Sequence, residues 1–493
     1  DGASWVWGHE RLVFEDKLRA NQWKYWFQRY GRVFRLKSAL GQPDVLAIGD
    51  PAAITHIYAK NSYNYWRAPT QRALVKRVSG RGMIWIEGAE AHRRQRSIVS
   101  PAFSDVSVGD MAPDMYHVAN HLKSRITNTI SESKSQSVVI DISHLITCAS
   151  LDILGRTVFG YNFNAVGDAP DALRILDLWT EQNLQTMKLG FSCVCHSAVH
   201  SVVDRASFGP ATSSERAGGR KTGEHGKDLV SLMFLANERS EPSKKLEEDE
   251  IYENVITFVV AGHETTSVAT SHAIWELAKN QDLQDALRQE IMSLHSEPTY
   301  KQLKNAESLP LLDAVCRESI RLYPALPRTD KIAKGDDIIP LRHPIIGNDG
   351  STITSIPVKA GQIIYVPVTA VNVDQETWDD ADIFRPTRWL VDTPHSQKYC
   401  NHGEKGVKPT KELLGGWSGT LSFGEGPRLC IGMRLALLEW KVIMFTLIKH
   451  FKFSDTGDNI SHRLGSTISP RIVGREDEGV QLPVRVTCIS EMT

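Results

Sequence analysis

Cysteine is scarce in this chain, and its spacing fits neither a disulfide framework nor a zinc site. Seven cysteines occur in 493 residues, which is an odd and low number for a stapled fold. Only Cys193 and Cys195 lie close together, and one intervening residue is too few for a Cys-x-x-Cys pair. We therefore predict a protein of a reducing compartment that has no disulfide framework.

An excess of charge of either sign is also missing. The chain carries 57 basic and 58 acidic residues, which gives a formal net charge of -1. Domains that bind nucleic acid in general are strongly basic, so this composition argues against a nucleic-acid partner. Any electrostatic partner site must come from a local patch.

Long apolar runs are missing as well. No run in the sequence reaches the roughly 18 to 20 residues that span a bilayer. The first residues, Asp1 to Gly8, lack the charged-then-apolar layout of a signal peptide. The hydrophobic content of 41% is nevertheless ample for a large buried core. A multi-span membrane protein is therefore not expected.

Helical patterns dominate what is present. Strands are predicted at 32–36, at 44–48 and over 324–383, and helices from Pro51, over 106–277 and over 433–450. A polar stretch at 208–227 interrupts the helical part as a surface connection. No repeat and no clean domain boundary is visible. The sequence therefore predicts one domain over 1–493, mainly α with a small β region.

One predicted helix, 249–280, is apolar on nearly every face, as a helix through the interior is. Gly262 in its middle destabilises a helix by about 1 kcal/mol relative to alanine, and Ala261 and Gly262 together remove bulk from one face. Glu264 and Thr265 add a carboxylate and a hydroxyl, which suits proton transfer. The alternative is a helix contact with a backbone-bonded threonine, but burying Glu264 without a function would be costly.

The strongest motif is the loop Phe423-Gly-Glu-Gly-Pro-Arg-Leu-Cys-Ile-Gly432. Its glycines let the backbone turn tightly and approach a flat ligand closely. Cys430 stands just before a helix, whose N–H groups and dipole favour a thiolate. Arg428 can pair with a carboxylate, and Phe423 can shield the sulfur from water. A glycine-rich loop around a single cysteine indicates ligation rather than packing.

This loop resembles the haem-binding loop of the cytochrome P450 superfamily, Phe-x-x-Gly-x-Arg-x-Cys-x-Gly. The five fixed positions match at Phe423, Gly426, Arg428, Cys430 and Gly432. The resemblance implies the cytochrome P450 fold and a haem b (iron protoporphyrin IX) cofactor. It makes Cys430 the axial thiolate ligand of the iron and places Phe423 and Gly424 in the cofactor pocket.

Three further motifs follow the family's order. Ala261-Gly-His-Glu-Thr-Thr266 is similar to the oxygen-activation motif, Glu318-x-x-Arg321 to the family's ExxR pair, and Phe384-Arg-Pro-Thr-Arg-Trp389 to its Phe-x-Pro-x-Arg segment. With the cysteine loop they cover nearly the whole chain.

The long-helix motif implies that dioxygen sits against the Ala261–Gly262 face, above the iron. Thr265 and Glu264 would then be the catalytic residues that deliver protons. His263 occupies a variable position of the motif and is not expected to be a metal ligand.

The ExxR and Phe-x-Pro-x-Arg segments imply a structural role. Glu318 and Arg321 share a helix face, and the resemblance joins them to Arg388 in a buried charge cluster that holds the cysteine loop.

Four residues match positions that hold haem propionates in the family. They are His92, Arg96, Arg328 and Arg428. Many relatives carry tryptophan where His92 stands, and either ring offers an N–H group. A position on a surface helix is the alternative for His92.

The resemblance further implies a monooxygenase of eukaryotic microsomal, fungal type that inserts one oxygen atom into a C–H or C=C bond of a lipophilic substrate. Electrons would come from NADPH through a cytochrome P450 reductase, with cytochrome b5 as a second candidate donor. The location implied is the membrane surface on the cytosolic face of the endoplasmic reticulum. Such members carry an N-terminal membrane helix, which the printed sequence does not include.

Two surfaces of this enzyme are also predicted. A basic patch for the reductase would contain Arg93, Arg94, Lys405, Lys408, Arg434 and Lys441, the alternative being ordinary solvated cations. Substrate contacts are expected at 77–86, 185–191, 259–260, 326–327 and 467–468, which are largely apolar.

Three other functions remain open. The same scaffold can run reductant-free rearrangement or dehydration, although relatives that do so often lose the hydroxyl of Thr265. A haem sensor or carrier would not need the acid–alcohol pair. A purely structural helical protein would leave the loop around Cys430 unexplained.

Overall fold

Helices form most of the described chain, which confirms the predicted mainly α fold class. The structure is a computed structural model that describes residues 2–489 apart from 15, 17–19, 40–41, 179–227, 348, 410–411 and 465–466. Its helices are α1 Glu10–Phe14, α2 Asn21–Tyr30, α3 Pro51–Thr55, α4 Pro69–Ser79, α5 Ala89–Val99, α6 Asp105–Asp110, α7 Ala112–Glu132, α8 Ile142–Leu154, α9 Leu229–Glu238, α10 Glu248–Lys279, α11 Gln281–Met292, α12 Tyr300–Lys304, α13 Pro310–Leu322, α14 Val368–Asn372, α15 Ser396–Tyr399 and α16 Met433–His450.

The β structure is small and divided among four sheets. The strands are β1 Val33–Leu36, β2 Val45–Ile48, β3 Tyr65–Arg67, β4 Ser137–Asp141, β5 Thr329–Ala333, β6 Asp337–Ile346, β7 Thr352–Val358, β8 Ile363–Val366, β9 Phe451–Asp455, β10 Ile460–Leu464, β11 Ile468–Ile472 and β12 Pro483–Cys488. A five-stranded sheet has the order β1-β2-β8-β5-β3, and a three-stranded sheet the order β4-β12-β9. The hairpins β6–β7 and β10–β11 stand apart from both.

Strand β4 is an addition to the predicted, mainly helical stretch 106–277, in which no strand was expected. Ser137–Asp141 pairs with β12, which pairs in turn with β9. No strand was predicted beyond residue 450 either. The β-branched run at 138–140 favours a strand, but its partner lies at the other end of the chain. Only the tertiary fold brings the two together.

Helix α10 runs through the interior, and its observed ends differ from the predicted ones by one residue each. Glu247 and Glu250 form a capping box at its start, which satisfies two backbone N–H groups. Most of its side chains from Ile251 to Ala278 are buried. It packs along α8 and also contacts α16 and α13, so it places its motif deep among the other helices.

The predicted start of α3 and the predicted bounds of α16 are also observed. The Asp50 carboxylate accepts hydrogen bonds from Ala52 and Ala53 at 2.9 and 3.1 Å, so α3 has the predicted cap and starts at Pro51. Helix α16 has the predicted bounds. The polar stretch 208–227 lies outside the described residues.

One described helical segment, Ile142–Phe159, is long and apolar enough to cross a membrane. The search for apolar runs in the sequence had predicted none. In the structure 78% of this segment is buried, since α8 and the turn after it pack against α10 and α7. The same length and composition are found in core helices of globular proteins.

Candidate active site

The loop before α16 closes on itself around Cys430. The Cys430 backbone N–H donates to the Phe423 carbonyl at 2.9 Å. Gly424 and Gly426 have φ values of +75° and +68°, which side chains rarely tolerate. A Cβ on Gly426 would also lie 2.4 Å from the Tyr58 carbonyl oxygen. Both glycines are therefore needed for this turn.

Cys430 stands at the end of this loop, three residues before the first residue of α16. Burial raises the pKa of the thiol, and the N–H groups of Gly432 and Met433 and the charge of Arg96 only partly oppose this. Without a metal ion, the protein therefore does not favour the thiolate form of Cys430 as the sequence had predicted. A coordinated metal ion deprotonates a thiol outright, so the sulfur fits a metal ligand better than a free nucleophile.

Phe423 lies edge-on against Trp417, with ring centroids 5.4 Å apart and planes at 85°. The guanidinium group of Arg317 lies 5.6 Å from the centroid of the same Trp417 ring. This aromatic support fixes the start of the loop. Shielding of the sulfur by Phe423 stays a prediction.

A surplus of positive charge lies beside the loop. Arg428 donates to the Glu87 carboxylate at 2.8 Å and to the Ile86 carbonyl at 2.9 Å, and its Nε is buried with no hydrogen-bond partner among the described residues. Arg67 of β3 stands directly opposite Lys331 of β5 in an antiparallel pair. Burial, followed by repulsion from Arg67 and Arg428, lowers the pKa of Lys331 to about 7.

Glu87 is ion-paired with Arg428, while Arg67 and Lys331 face each other across the sheet, and like charges opposite each other in a sheet are destabilising. The arrangement fits a ligand that brings further anionic groups, such as the two propionates of a haem. The sequence motifs identified Arg428 but missed Arg67 and Lys331. Only the pairing of β3 with β5 brings Arg67 and Lys331 together, and the sequence motifs do not predict that pairing.

Arg328 has other partners than the predicted propionate. Its guanidinium is 2.8 Å from Asp330 and 3.1 Å from Glu10, and it stacks on Tyr365. Asp330 and Lys331 are neighbours in β5 and point to opposite faces of the strand. Two carboxylates therefore balance the charge of Arg328 in the structure, and its contact with a haem propionate stays a prediction.

His92 and Arg96 lie one turn apart on α5. His92 is only 2% exposed, which overturns the alternative of a surface position. Its Nδ1 lies 3.1 Å from the Tyr63 hydroxyl. Burial, and then the charges of Arg428, Arg96 and Arg93, lower the pKa of His92 to about 4, so its ring is neutral near pH 7. Arg96 lies close enough to Cys430 to lower the pKa of the thiol.

The motif of α10 presents its groups in three directions. Thr265 donates its hydroxyl proton to the Ala261 carbonyl at 2.7 Å, so the Thr265 oxygen can still accept a hydrogen bond. Glu264 accepts from the Thr467 hydroxyl at 2.7 Å. His263 is buried, with Nδ1 2.8 Å from the Val259 carbonyl, and burial lowers its pKa.

Gly262 corrects one part of the oxygen-site prediction. A Cβ on Gly262 would lie 2.5 Å from Cδ1 of Leu154 on α8. The missing side chain therefore lets α8 pack closely against α10, and the alternative of a helix contact holds for this residue. Space for a small ligand can come from Ala261 but not from Gly262.

Phe103 links the cysteine loop to α10. A Cβ on Gly432 would be 3.8 Å from the Phe103 ring. The Phe103 ring in turn contacts Phe258 of α10 edge-on, with centroids 5.5 Å apart. The loop and the helix motif thus face a common interior region.

The predicted charge cluster is confirmed. The Glu318 carboxylate is fully buried and accepts hydrogen bonds from Arg321 at 2.8 and 3.0 Å and from Arg388 at 3.0 Å. Arg321 also donates to the Asn372 carbonyl at 3.0 Å, and the Asn372 side chain accepts from the Leu421 N–H at 3.0 Å. The cluster is therefore connected to the start of the cysteine loop by two hydrogen bonds.

The predicted basic patch needs one correction. Lys441 is buried in α16, and its ammonium lies 2.6 Å from Asp313 and 2.7 Å from the Leu303 carbonyl. It belongs to the core and not to a surface. The other five cations lie at or near the surface, although Arg94 is paired with Glu250 and Arg434 with Asp105.

The predicted substrate positions are only partly described. Val259, Thr467 and Ile468 are buried, whereas Leu326 is 45% exposed. The prediction at 185–191 lies outside the described residues.

Comparison with known proteins agrees with this site. Residues 3–473 match the sequence model of the family described as Cytochrome P450. The chain is 31% identical to cytochrome P450 monooxygenase claO of Ampulloclitocybe clavipes, over 94% of this chain and 87% of that protein. It is 30% identical to claQ of the same fungus, over 98% and 91% of the two chains. The corresponding values for cytochrome P450 monooxygenase 128 of Postia placenta are 28%, 98% and 91%.

These matches extend over nearly the whole chain, including the cysteine loop, the α10 motif and the Glu318 cluster. They imply a haem cofactor, dioxygen and a lipophilic molecule as substrates, and a redox partner. The chain therefore belongs to the cytochrome P450 family and is an oxygen-incorporating oxidoreductase.

Proposed function

We propose that the protein is a haem b monooxygenase that receives electrons from NADPH through a flavoprotein reductase. The observation that carries this proposal is the Cys430 thiol near Arg96, in a loop whose Arg428 lies close to Arg67 and Lys331. One sulfur ligand and a surplus of cations suit an iron porphyrin with two carboxylates. A thiolate-bound haem activates dioxygen so that one oxygen atom can enter a C–H or C=C bond.

The chain's own residues would bind and orient this group. Cys430 would bind the iron through its sulfur, while Arg96, Arg328, Arg428 and Lys331 would pair with the propionates and His92 would lie beside them. Ala261 leaves room on α10 for a small ligand. Phe423 and Gly424 line the loop side of the pocket.

Lys331→Met is expected to accelerate haem loss about tenfold or more, since one charge-assisted hydrogen bond contributes about 1.5–3 kcal/mol. The pKa of Lys331 is about 7 without an anion, and a bound propionate raises it. Above pH 7, Lys331 therefore carries a proton more often in the haem-bound protein than in the haem-free protein. Haem retention should therefore weaken as the pH rises from 7 toward the ordinary lysine value of 10.5.

Transfer of haem to an excess of haem-free globin, followed by absorption, measures both effects. Lys334→Met is the matched control, because Lys334 is exposed and follows the same strand. If Lys331→Met keeps the wild-type rate and pH dependence, Lys331 does not bind a propionate.

Thr265 and Glu264 would move protons toward the reacting oxygen. The Thr265 hydroxyl donates its proton to the Ala261 carbonyl, so its oxygen can accept a hydrogen bond, and the neighbouring Glu264 would exchange protons with it. A positioned acid–base group typically contributes about 10²- to 10⁴-fold to a rate.

Thr265→Ala is expected to retain haem and to divert electrons from product to hydrogen peroxide, because the oxygen atom that accepts the proton is lost. Thr266→Ala is the matched control on the next position of α10, where Thr266 is buried. Product, peroxide and NADPH consumed are measured together. A ratio of product to NADPH in Thr265→Ala equal to that of the wild type would remove Thr265 from the proton path.

We propose that the reductase binds the exposed members of the predicted basic patch. Arg93, Lys405 and Arg434 are exposed, and an acidic partner would associate faster with them at low salt. NADPH- and reductase-dependent product formation that slows as salt rises is the expected result. Product formation without any reductant would instead favour a rearrangement or dehydration.

Attachment to the endoplasmic reticulum membrane surface, on its cytosolic face, is proposed from the family resemblance and two surface features. Trp5, Val6 and Trp7 are exposed, and tryptophan is enriched at membrane interfaces. Arg72, Lys76 and Lys334 line a cavity of about 340 Å³ with two tryptophans, and no acidic residue of the described chain lines it. Stronger sedimentation with phosphatidylserine vesicles than with phosphatidylcholine vesicles is expected, and equal sedimentation would contradict it.

A further inference from the structure

Two side-chain contacts between described residues connect the hairpin β10–β11 to the middle of α10. Thr467, in the turn before β11, donates its hydroxyl to Oε1 of Glu264 at 2.7 Å. His462 of β10 has its Nε2 3.2 Å from Nε2 of His272, two helical turns beyond Glu264. Thr467, His462 and His272 are all buried.

The histidine contact fixes the position of the hairpin on the helix. Nδ1 of His272 lies 2.7 Å from the Val268 carbonyl, so this nitrogen carries the proton. In the neutral ring Nε2 of His272 is then an acceptor, and His462 is the donor. Tyr323 stacks on His272 with ring centroids 4.3 Å apart. The hairpin is therefore held independently of Thr467.

The Thr467 contact holds one oxygen of the Glu264 carboxylate in place. Thr265 cannot donate to Glu264 while its proton is bonded to the Ala261 carbonyl at 2.7 Å. A hydroxyl has a single proton to donate, and Thr467 gives its proton to Oε1 of Glu264. The acid of the proposed proton path is thus oriented by a residue that lies about two hundred positions later in the chain.

We propose that Thr467 is a positioning residue for Glu264, so that its hydroxyl controls how electrons divide between product and hydrogen peroxide. This inference rests on the proposed function. Product formation uses one dioxygen, two electrons and two protons to give the oxygenated substrate and one water. With the same electrons and protons, dioxygen alone gives hydrogen peroxide. The reductant is NADPH in both cases.

The experiment compares variants that differ in the hydroxyl of residue 467. Thr467→Val removes the hydroxyl at nearly constant volume, and Thr467→Ala removes it without adding bulk. Thr467→Ser keeps the hydroxyl and is the rescue variant. Ser469→Ala, in the adjoining strand β11, controls for a general disturbance of the hairpin, and Glu264→Gln tests the proposed acid itself.

Two readouts are combined for each variant. The ratio of hydrogen peroxide to product is measured at equal NADPH consumption. The infrared band of the Glu264 carboxylate, assigned by subtracting the Glu264→Gln spectrum, reports its hydrogen bond without any turnover. A normal carbon monoxide spectrum shows that each variant is folded and loaded.

Thr467→Val and Thr467→Ala are expected to raise the peroxide-to-product ratio about three- to tenfold, the range of one hydrogen bond, and to shift the Glu264 band. Thr467→Ser and Ser469→Ala should retain the wild-type ratio and band position.

Three results would overturn the inference. If the valine and alanine variants match the wild type while Glu264→Gln forms peroxide, Thr467 does not position the acid, and the proposed function stands. If Glu264→Gln itself matches the wild type, the proposed role of Glu264 fails, and the inference fails with it. If Thr467→Ser and Ser469→Ala form as much peroxide as Thr467→Val, the effect belongs to the hairpin and not to the hydroxyl.

Discussion

Replacing Glu318 with alanine is expected to give a protein that does not retain haem and unfolds at a much lower denaturant concentration. The Glu318 carboxylate is the shared acceptor of two guanidinium groups, and it also accepts from the Trp389 indole at 3.1 Å and the Arg385 N–H at 3.0 Å. Removing it leaves Arg321 and Arg388 charged and buried. Breaking a buried ion pair typically costs about 3 to 5 kcal/mol.

The Glu318→Ala substitution should also disturb the haem site, because Asn372 connects the charge cluster to the cysteine loop. Arg321 holds the Asn372 carbonyl, while the Asn372 side chain holds Leu421 and Ser422 at the start of the cysteine loop. A displaced Arg321 therefore releases the segment that leads to Cys430.

Haem content after purification and urea unfolding measure these effects. Glu241→Ala is the control, since Glu241 forms an exposed ion pair with Lys244, and such pairs contribute about 0 to 1 kcal/mol. A Glu318→Ala protein with the haem content and unfolding midpoint of the wild type would mean that the cluster does not hold the loop.

Replacing Cys430 with alanine is expected to abolish monooxygenase activity without unfolding the chain. The substitution removes one sulfur atom and adds no bulk to the loop. The backbone hydrogen bond from residue 430 to the Phe423 carbonyl does not depend on the side chain. Replacing even a residue behind a metal ligand costs 10- to 100-fold in affinity or activity, so removing the ligand should cost at least about a hundredfold.

Cys488→Ala is the matched control, because Cys488 is exposed and lies on β12. Both variants should show the thermal unfolding of the wild-type apoprotein, and only Cys488→Ala should form product. Product formation by Cys430→Ala at the wild-type rate would exclude this sulfur as the metal ligand.

Features that depend on residues close together in the sequence were predicted correctly. The bounds of α10 and α16 follow from long apolar periodicity, and the turns at Gly424 and Gly426 follow from the need for positive φ. The cluster of Glu318, Arg321 and Arg388 was identified from spacing and family motifs. These features require no knowledge of which distant segments pair.

Errors occur where a residue's neighbours are set by tertiary contacts. Lys331 was missed because only the pairing of β5 with β3 places it opposite Arg67. Gly262 faces α8, which its own helix does not reveal. Lys441 is different, because it stands within a nearly uniform apolar run of α16 and its burial could have been predicted from that run.

Axial coordination by a thiolate is tested most directly by the absorption spectrum of the purified protein after reduction and addition of carbon monoxide. Coordination opposite the Cys430 sulfur should displace the Soret band to the long wavelength typical of thiolate-bound haem, and the displacement should disappear in Cys430→Ala. A band at the shorter wavelength typical of histidine coordination, or a displaced band that survives in Cys430→Ala, would contradict ligation by this cysteine.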